Sequence, residues 1–215
     1  MHQNSYSTHD PEIDRLILEL AEKCAPGECQ EMLRQIFTTA AKLGKEHGDL
    51  GDFKLINTSL KELRHAVRIF VRHRQVRKAI IFGSARTGED EPSYALAREV
   101  AELLVRENFM VISGAGGGIM EAANLGAGRE NSFGINIKLP FEQKSNRYIE
   151  GDPKLMTFKY FFTRKLFFLK ESDATVLLPG GFGTQDEAFE NLTLFQTGKT
   201  LPRPIVLLEP EGSRY

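Results

Sequence analysis

Apolar residues recur at helical spacing through the first third of the chain. Ile13, Leu16, Ile17 and Leu20 form one stripe, with Pro11 near its start. Met32, Leu33, Ile36, Phe37, Ala40 and Leu43 form a second, which the glycines and charges of Gly44 to Gly51 interrupt. Leu60, Leu63, Val67 and Phe70 make a third. The pattern predicts a helix from about Pro11 to Lys23 and further helices over the second and third stripes. Residues 1–10 are polar and read as a disordered lead-in.

From Lys78 the texture changes. Ala79-Ile80-Ile81-Phe82 is a short continuous apolar run ending at Gly83, which is how a strand buried on both faces reads. A helix from Ser93 to Arg106, a run Phe109–Ile112, a helix through Met120–Ala127 and a run Phe133–Ile137 follow. Beyond them lie a helix over Phe161–Lys170, a strand Ala174–Leu178, a helix Thr184–Thr197 and a strand Pro204–Leu208. Repeated strand–helix–strand units predict an α/β fold, a doubly wound, Rossmann-like parallel sheet, preceded by an N-terminal helical segment. The expected division is residues 1–77 for the helical segment and 78–215 for the nucleotide-binding domain. Few residues follow the last run, so the chain reads as truncated at its C-terminus.

Charge narrows the partners. Lys and Arg total 28 against 29 Asp and Glu, so no overall field favours nucleic acid or an anionic membrane, and neither is expected. Locally, Arg64, Arg68, Arg72, Arg74, Arg77 and Lys78 read either as a polyanion patch or as a solvated helix face of the kind the macrodipole favours near a helix C-terminus. The two cysteines, Cys24 and Cys29, and the five histidines, His2, His9, His47, His65 and His73, form neither a disulfide framework nor a zinc spacing. No metal and no cofactor is therefore expected. The N-terminus lacks the basic flank and apolar stretch of a signal peptide, and no run of about 18 apolar residues occurs. These features predict a soluble, cytoplasmic protein.

In open parallel sheets ligands sit beyond the carboxyl ends of the strands, which directs attention to three loops. They are Gly83-Ser84-Ala85-Arg86, Ser113-Gly114-Ala115-Gly116-Gly117-Gly118 and Pro179-Gly180-Gly181-Phe182-Gly183-Thr184. Glycines allow backbone to approach a ligand, and the helix that follows aims unpaired N–H groups and its positive end at an anion. A phosphate-bearing ligand fits that chemistry. The dinucleotide spacing G-x-G-x-x-G fails, because Ile119 follows Gly114 and Gly116 where the last glycine belongs, and Asp186 stands there after Gly181 and Gly183. Gly198-Lys199-Thr200 is no P-loop, since Thr193 takes the first glycine position and a helix precedes it.

Pro179-Gly180-Gly181-Phe182-Gly183-Thr184-Gln185-Asp186-Glu187 resembles the PGGxGTxxE motif of the LOG ("Lonely guy") family, and Phe162-Thr163-Arg164-Lys165 is similar to that family's arginine–lysine element. The glycine loop running into Ile119-Met120-Glu121-Ala122-Ala123-Asn124 resembles that of the larger bacterial-type members, with Ala115 where those usually carry glycine. Members have often been labelled lysine decarboxylases, but nothing here marks a pyridoxal-phosphate lysine.

The resemblance implies an N-glycosyl hydrolase, a phosphoribohydrolase that converts a nucleoside 5'-monophosphate to free base and ribose 5-phosphate. AMP or a cytokinin riboside 5'-monophosphate is the implied kind of substrate. It also implies a homodimer or larger homo-oligomer, with sites near a subunit interface. Glu187 and Arg164 are then the catalytic candidates: the carboxylate would stabilise positive charge on the sugar and orient water, and the guanidinium would hold the departing base. Gly83, Ser84, Gly117, Gly118, Lys165, Gly180, Gly181, Gly183 and Thr184 are the substrate-binding candidates. Two alternatives stand beside this reading. Thr184-x-x-Glu187 also reads as a helix capping box, and the fold also suits a non-catalytic nucleotide or molybdenum-cofactor carrier.

Overall fold

The computed structural model describes residues 6–25, 27–46, 48–140 and 144–213. His2 and His47 therefore lie outside the described residues. Two compact units are present, Met1–Asn57 and Thr58–Tyr215.

The first unit is helical. Helix α1 (Pro11–Cys24) begins where the Asp10 side chain accepts the N–H groups of Glu12 and Ile13, with proline in the first turn. It packs on α2 (Cys29–Lys45), burying Ile17, Ala21 and Thr38. Helix α3 (Leu50–Phe70) starts ten residues ahead of Leu60, where the apolar stripe begins. A reciprocal cap makes this early start possible: the Asp49 N–H donates to the Asp52 carboxylate at 3.0 Å and the Asp52 N–H to that of Asp49 at 2.9 Å. Such a cap outweighs the helix-breaking tendency of Gly51.

The second unit takes in the C-terminal part of α3, whose Ala66 and Phe70 are buried in the sheet's core. It continues through β1 (Lys78–Phe82), α4 (Pro92–Arg106), β2 (Met110–Ser113), α5 (Ile119–Ala127) and β3 (Ser132–Ile137). The remaining elements are β4 (Leu155–Phe158), α6 (Phe161–Lys170), β5 (Ala174–Leu177), α7 (Phe182–Gln196) and β6 (Ile205–Leu207). All pairings are parallel, in the order β4-β3-β2-β1-β5-β6. The strand β4 has no counterpart in the apolar runs, because its Leu155 and Thr157 are not buried and it lies at the sheet's edge.

Alternation along each strand divides the core in two. Ile80 and Phe82 pack with Phe70, Phe133, Phe167 and Phe168 on the α3 and α6 face. Ile81, Val111 and Val176 pack with Ala97, Ala101, Ala122 and Ala123 on the α4 and α5 face. The end of the basic stretch serves this core: Lys78 is buried with its Nζ donating to the carbonyls of His73 and Val76, both at 2.8 Å, and Arg77 stacks over Phe109 at 4.3 Å. No described helix is long and apolar enough to cross a membrane.

Candidate active site

Strand order reverses between β1 and β5, since the chain proceeds from β1 toward β4 on one side and crosses back to β5 on the other. A cleft of about 670 Å³ opens there, beyond the carboxyl ends of the strands. Its walls include Gly83, Ser84, Ala85 and Arg86 after β1, and Gly181, Phe182, Gly183 and Thr184 at the start of α7. The first N–H groups of α7 have no carbonyl one turn earlier in the helix to bond, so this wall offers donors and a positive dipole end to an anion.

Backbone hydrogen bonds join the three loops. The Ser84 N–H donates to the Pro179 carbonyl and the Ile119 N–H to the Ser84 carbonyl, both at 3.0 Å. Gly118 makes the second approach possible: it sits at φ +61°, and a Cβ there would lie 2.3 Å from the Ser84 oxygen. A Cβ on Gly117 would lie 3.4 Å from the Ala85 oxygen. Gly117 and Gly118 thus form the seam between the first and second loops and do not line the cleft, to which the second loop contributes Gly114. Gly180 is likewise absent from the walls; its bare Cα leaves room for the Thr184 hydroxyl, 2.1 Å from where a Cβ would stand. Gly181 and Gly183 have open space in front of them.

Asn146 braces the second loop from behind. Its Nδ2 donates to the Gly116 carbonyl and to Asn124 Oδ1, each at 3.0 Å, and Ser113 donates to the same Oδ1 at 2.7 Å. The loop so held includes Ala115, buried at φ +61° in the left-handed region that glycine ordinarily occupies.

Two charged groups of opposite sign face the cleft. Arg164, on the first turn of α6, donates from Nε to the Ile135 carbonyl at 2.9 Å, and its guanidinium lies 4.8 Å above the Phe168 ring. Gly114 leaves space for it, since a Cβ there would stand 2.7 Å from Nη2. Burial works against the guanidinium charge and Glu187 supports it, while an arginine stays protonated in either case. Glu187 is 7% exposed. Burial pushes its carboxyl up to about 7, against the pull of Arg164 and Lys165.

The capping-box reading of Glu187 is corrected by this geometry. The N-cap of α7 is Gly181, with no side-chain cap bond, so Thr184 already lies inside the helix and Glu187 falls in the second turn, not the first. Lys165 does not itself line the cleft: its Nζ pairs with Asp186, which does, at 2.7 Å and with Glu190 at 3.1 Å, tying α6 to α7 beside the cleft wall. Among the aromatic residues of β4 and α6, Phe158, Phe167 and Phe168 are core, whereas Phe161 reaches the cleft. Arg86 and Met120 line it as well. Neither carries a sequence signal of its own beyond adjacency to the glycine loops. Among the described residues no group of three or more His, Cys, Asp or Glu is placed to hold a metal.

Comparison with known proteins agrees with the motifs. The profile of the family described as "Possible lysine decarboxylase" matches residues 118–215. An uncharacterized protein of Archaeoglobus fulgidus is 29% identical over 64% of this chain and 87% of its own length. The cytokinin riboside 5'-monophosphate phosphoribohydrolase LOG2 of Arabidopsis thaliana is 28% identical over 63% of this chain. The match spans 64% of that plant protein's length. Among solved structures, the Moco carrier protein of Chlamydomonas reinhardtii aligns with a TM-score of 0.45 at 21% identity, covering 64% of this chain and 80% of its own. The PGGFGTQDE loop at the head of α7, the arginine on α6 and these sequence matches make the chain similar to proteins of the LOG family.

Proposed function

We propose that the protein hydrolyses the N-glycosidic bond of nucleoside 5'-monophosphates, of the AMP or cytokinin riboside 5'-monophosphate kind, to free base and ribose 5-phosphate. One observation carries the reading: Arg164 and Glu187, from different helices, face one cleft at the switch point of the sheet, beside a helix N-terminus suited to a phosphate.

In this reading the 5'-phosphate rests on the first turn of α7 and the Ser84 loop. The ribose then lies against Glu187, whose ionised carboxylate stabilises the positive charge that develops as the bond from C1' to the base nitrogen breaks. Water adds to C1', and the proton it gives up passes through the same carboxylate to the departing base, which leaves neutral. Arg164 hydrogen-bonds the departing base without giving up its own proton. Phe161 offers the base an apolar neighbour. The protein acts as a homo-oligomer in this reading, supported by the apolar side chains that α6 and α7 leave exposed, among them Phe162, Leu166 and Phe189.

The test is release of base and ribose 5-phosphate from a panel of purine and pyrimidine 5'-monophosphates by wild type, Glu187→Ala and Arg164→Ala, each confirmed folded. The expected outcome is turnover that falls by a factor of about 100 or more in each variant. Tight binding of a nucleotide or of molybdenum cofactor without turnover, unaffected by Glu187→Ala, would replace the enzyme with a carrier.

A further inference from the structure

Helix α6 carries Arg164 in its first turn, yet it begins without a cap of its own: Tyr160 stands at the N-cap and makes no side-chain cap bond. Phe162 and Leu166 on its outer side are exposed and Phe161 borders the cleft, so packing holds the helix from one side only.

A tether across the start of the helix comes from α3. Glu62 accepts the Lys159 N–H on Oε1 at 2.6 Å, just before the helix, and the Thr163 hydroxyl on Oε2 at 2.6 Å, one turn in. A carboxylate placed there ties the residue before the N-cap to a side chain of the first turn and meets the positive end of the helix dipole. Thr163 is buried and precedes Arg164 directly, and the Arg164 N–H closes the same turn on the Tyr160 carbonyl at 3.3 Å. The arginine is therefore fixed at both ends, by Ile135 at its Nε and by the turn that Glu62 clamps at its backbone.

We propose that Glu62 is a positioning residue for Arg164, through which α3 sets where the guanidinium stands in the cleft. The catalytic consequence rests on the hydrolase reading above; the positional one does not. A misplacement on the order of 1 Å at a reacting group costs up to about a hundredfold in rate, so a clamp of this kind acts on turnover more than on binding.

The experiment compares wild type, Glu62→Ala and Glu62→Gln in the full chain by two readouts. One is kcat and KM for base release from a 5'-monophosphate. The other is hydrogen exchange of the Arg164 Nε–H, followed by NMR and assigned by its loss in Arg164→Ala. Glu62→Ala is expected to lower kcat by tenfold or more with KM within about twofold, and to speed Nε–H exchange by about tenfold. Glu62→Gln, which keeps one carbonyl acceptor, should lie between. A purely structural cap would lower the melting temperature while leaving both the exchange and the kcat of the folded protein unchanged, and that result overturns the proposal. If wild type releases no base, the hydrolase reading fails and the exchange arm alone decides on Glu62. If Glu62→Ala does not fold, Glu62→Gln carries the same measurement, and unchanged exchange in it counts against the clamp.

Discussion

Glu187 occupies a position that folding alone would not favour. Its carboxyl titrates near 7 in the folded chain, above the usual carboxylate range it keeps when unfolded, because burial penalises the charged form more than Arg164 and Lys165 support it. The folded state therefore binds this proton more tightly. Stability from this group is fully present at low pH and is lost as pH rises from the usual carboxylate range through about 7, with a total near 3 kcal/mol at 1.36 kcal/mol per pH unit. Glu187→Gln should accordingly raise the unfolding free energy by up to about 3 kcal/mol at pH 8 and by about 1 kcal/mol or less at pH 5. Paired denaturant titrations at the two pH values check this, and a gain equal at both would show that the carboxyl is not so perturbed. Catalysis runs in the opposite direction. If the ionised carboxylate stabilises the sugar cation, kcat/KM should fall about tenfold per pH unit below about 7 and level off above it.

At the scale of elements, the glycine loops divide into two kinds that look alike in sequence. Gly118 is structural: at φ +61° and with the Ser84 oxygen 2.3 Å from its absent Cβ, Gly118→Ala must push the first and second loops apart. Gly183 has nothing within 4 Å, on the cleft wall. Gly183→Ala should keep the melting temperature within a few degrees of wild type while weakening phosphate or nucleotide binding by tenfold or more. Gly118→Ala should cost about 3 kcal/mol of stability, on the scale of a strained backbone joined to a close contact. Calorimetric binding and thermal denaturation on the two variants separate the roles; equal loss of stability in both would merge them. Strands β1, β2, β3, β5 and β6 were legible because each is a concentrated apolar run before a turn, and part of the third loop's motif lies on the wall of the cleft. Other features were not legible. The edge strand β4 mixes buried and open positions, the start of α3 rests on the Asp49–Asp52 pair, and Glu62 and Asn146 act across chain separations that no local pattern records. Thr184-x-x-Glu187 misled about the helix start because Gly181, in extended conformation, takes the N-cap place.

For the whole molecule, the proposed homo-oligomer rests on the surface that α6 and α7 turn outward. Phe189 is 63% exposed and Leu192 47%, about one turn apart on α7, while Phe162 and Leu166 are exposed on α6. Single exposed apolar residues are ordinary, but aromatic side chains at this density on adjoining helices are characteristic of interface cores. Burying such a face in a stable contact calls for a total of about 1,200–2,000 Å². Sedimentation or light scattering at micromolar concentration is expected to give at least twice the 24.2 kDa chain mass. Phe189→Glu together with Leu192→Glu, both pointing away from the cleft walls, should shift the protein toward monomer, because burying two unpaired carboxylates costs far more than the lost apolar contact. A wild type that stays monomeric at 100 times that concentration would mean that this face is covered in some other way. A double variant that stays oligomeric would place the interface elsewhere on the molecule.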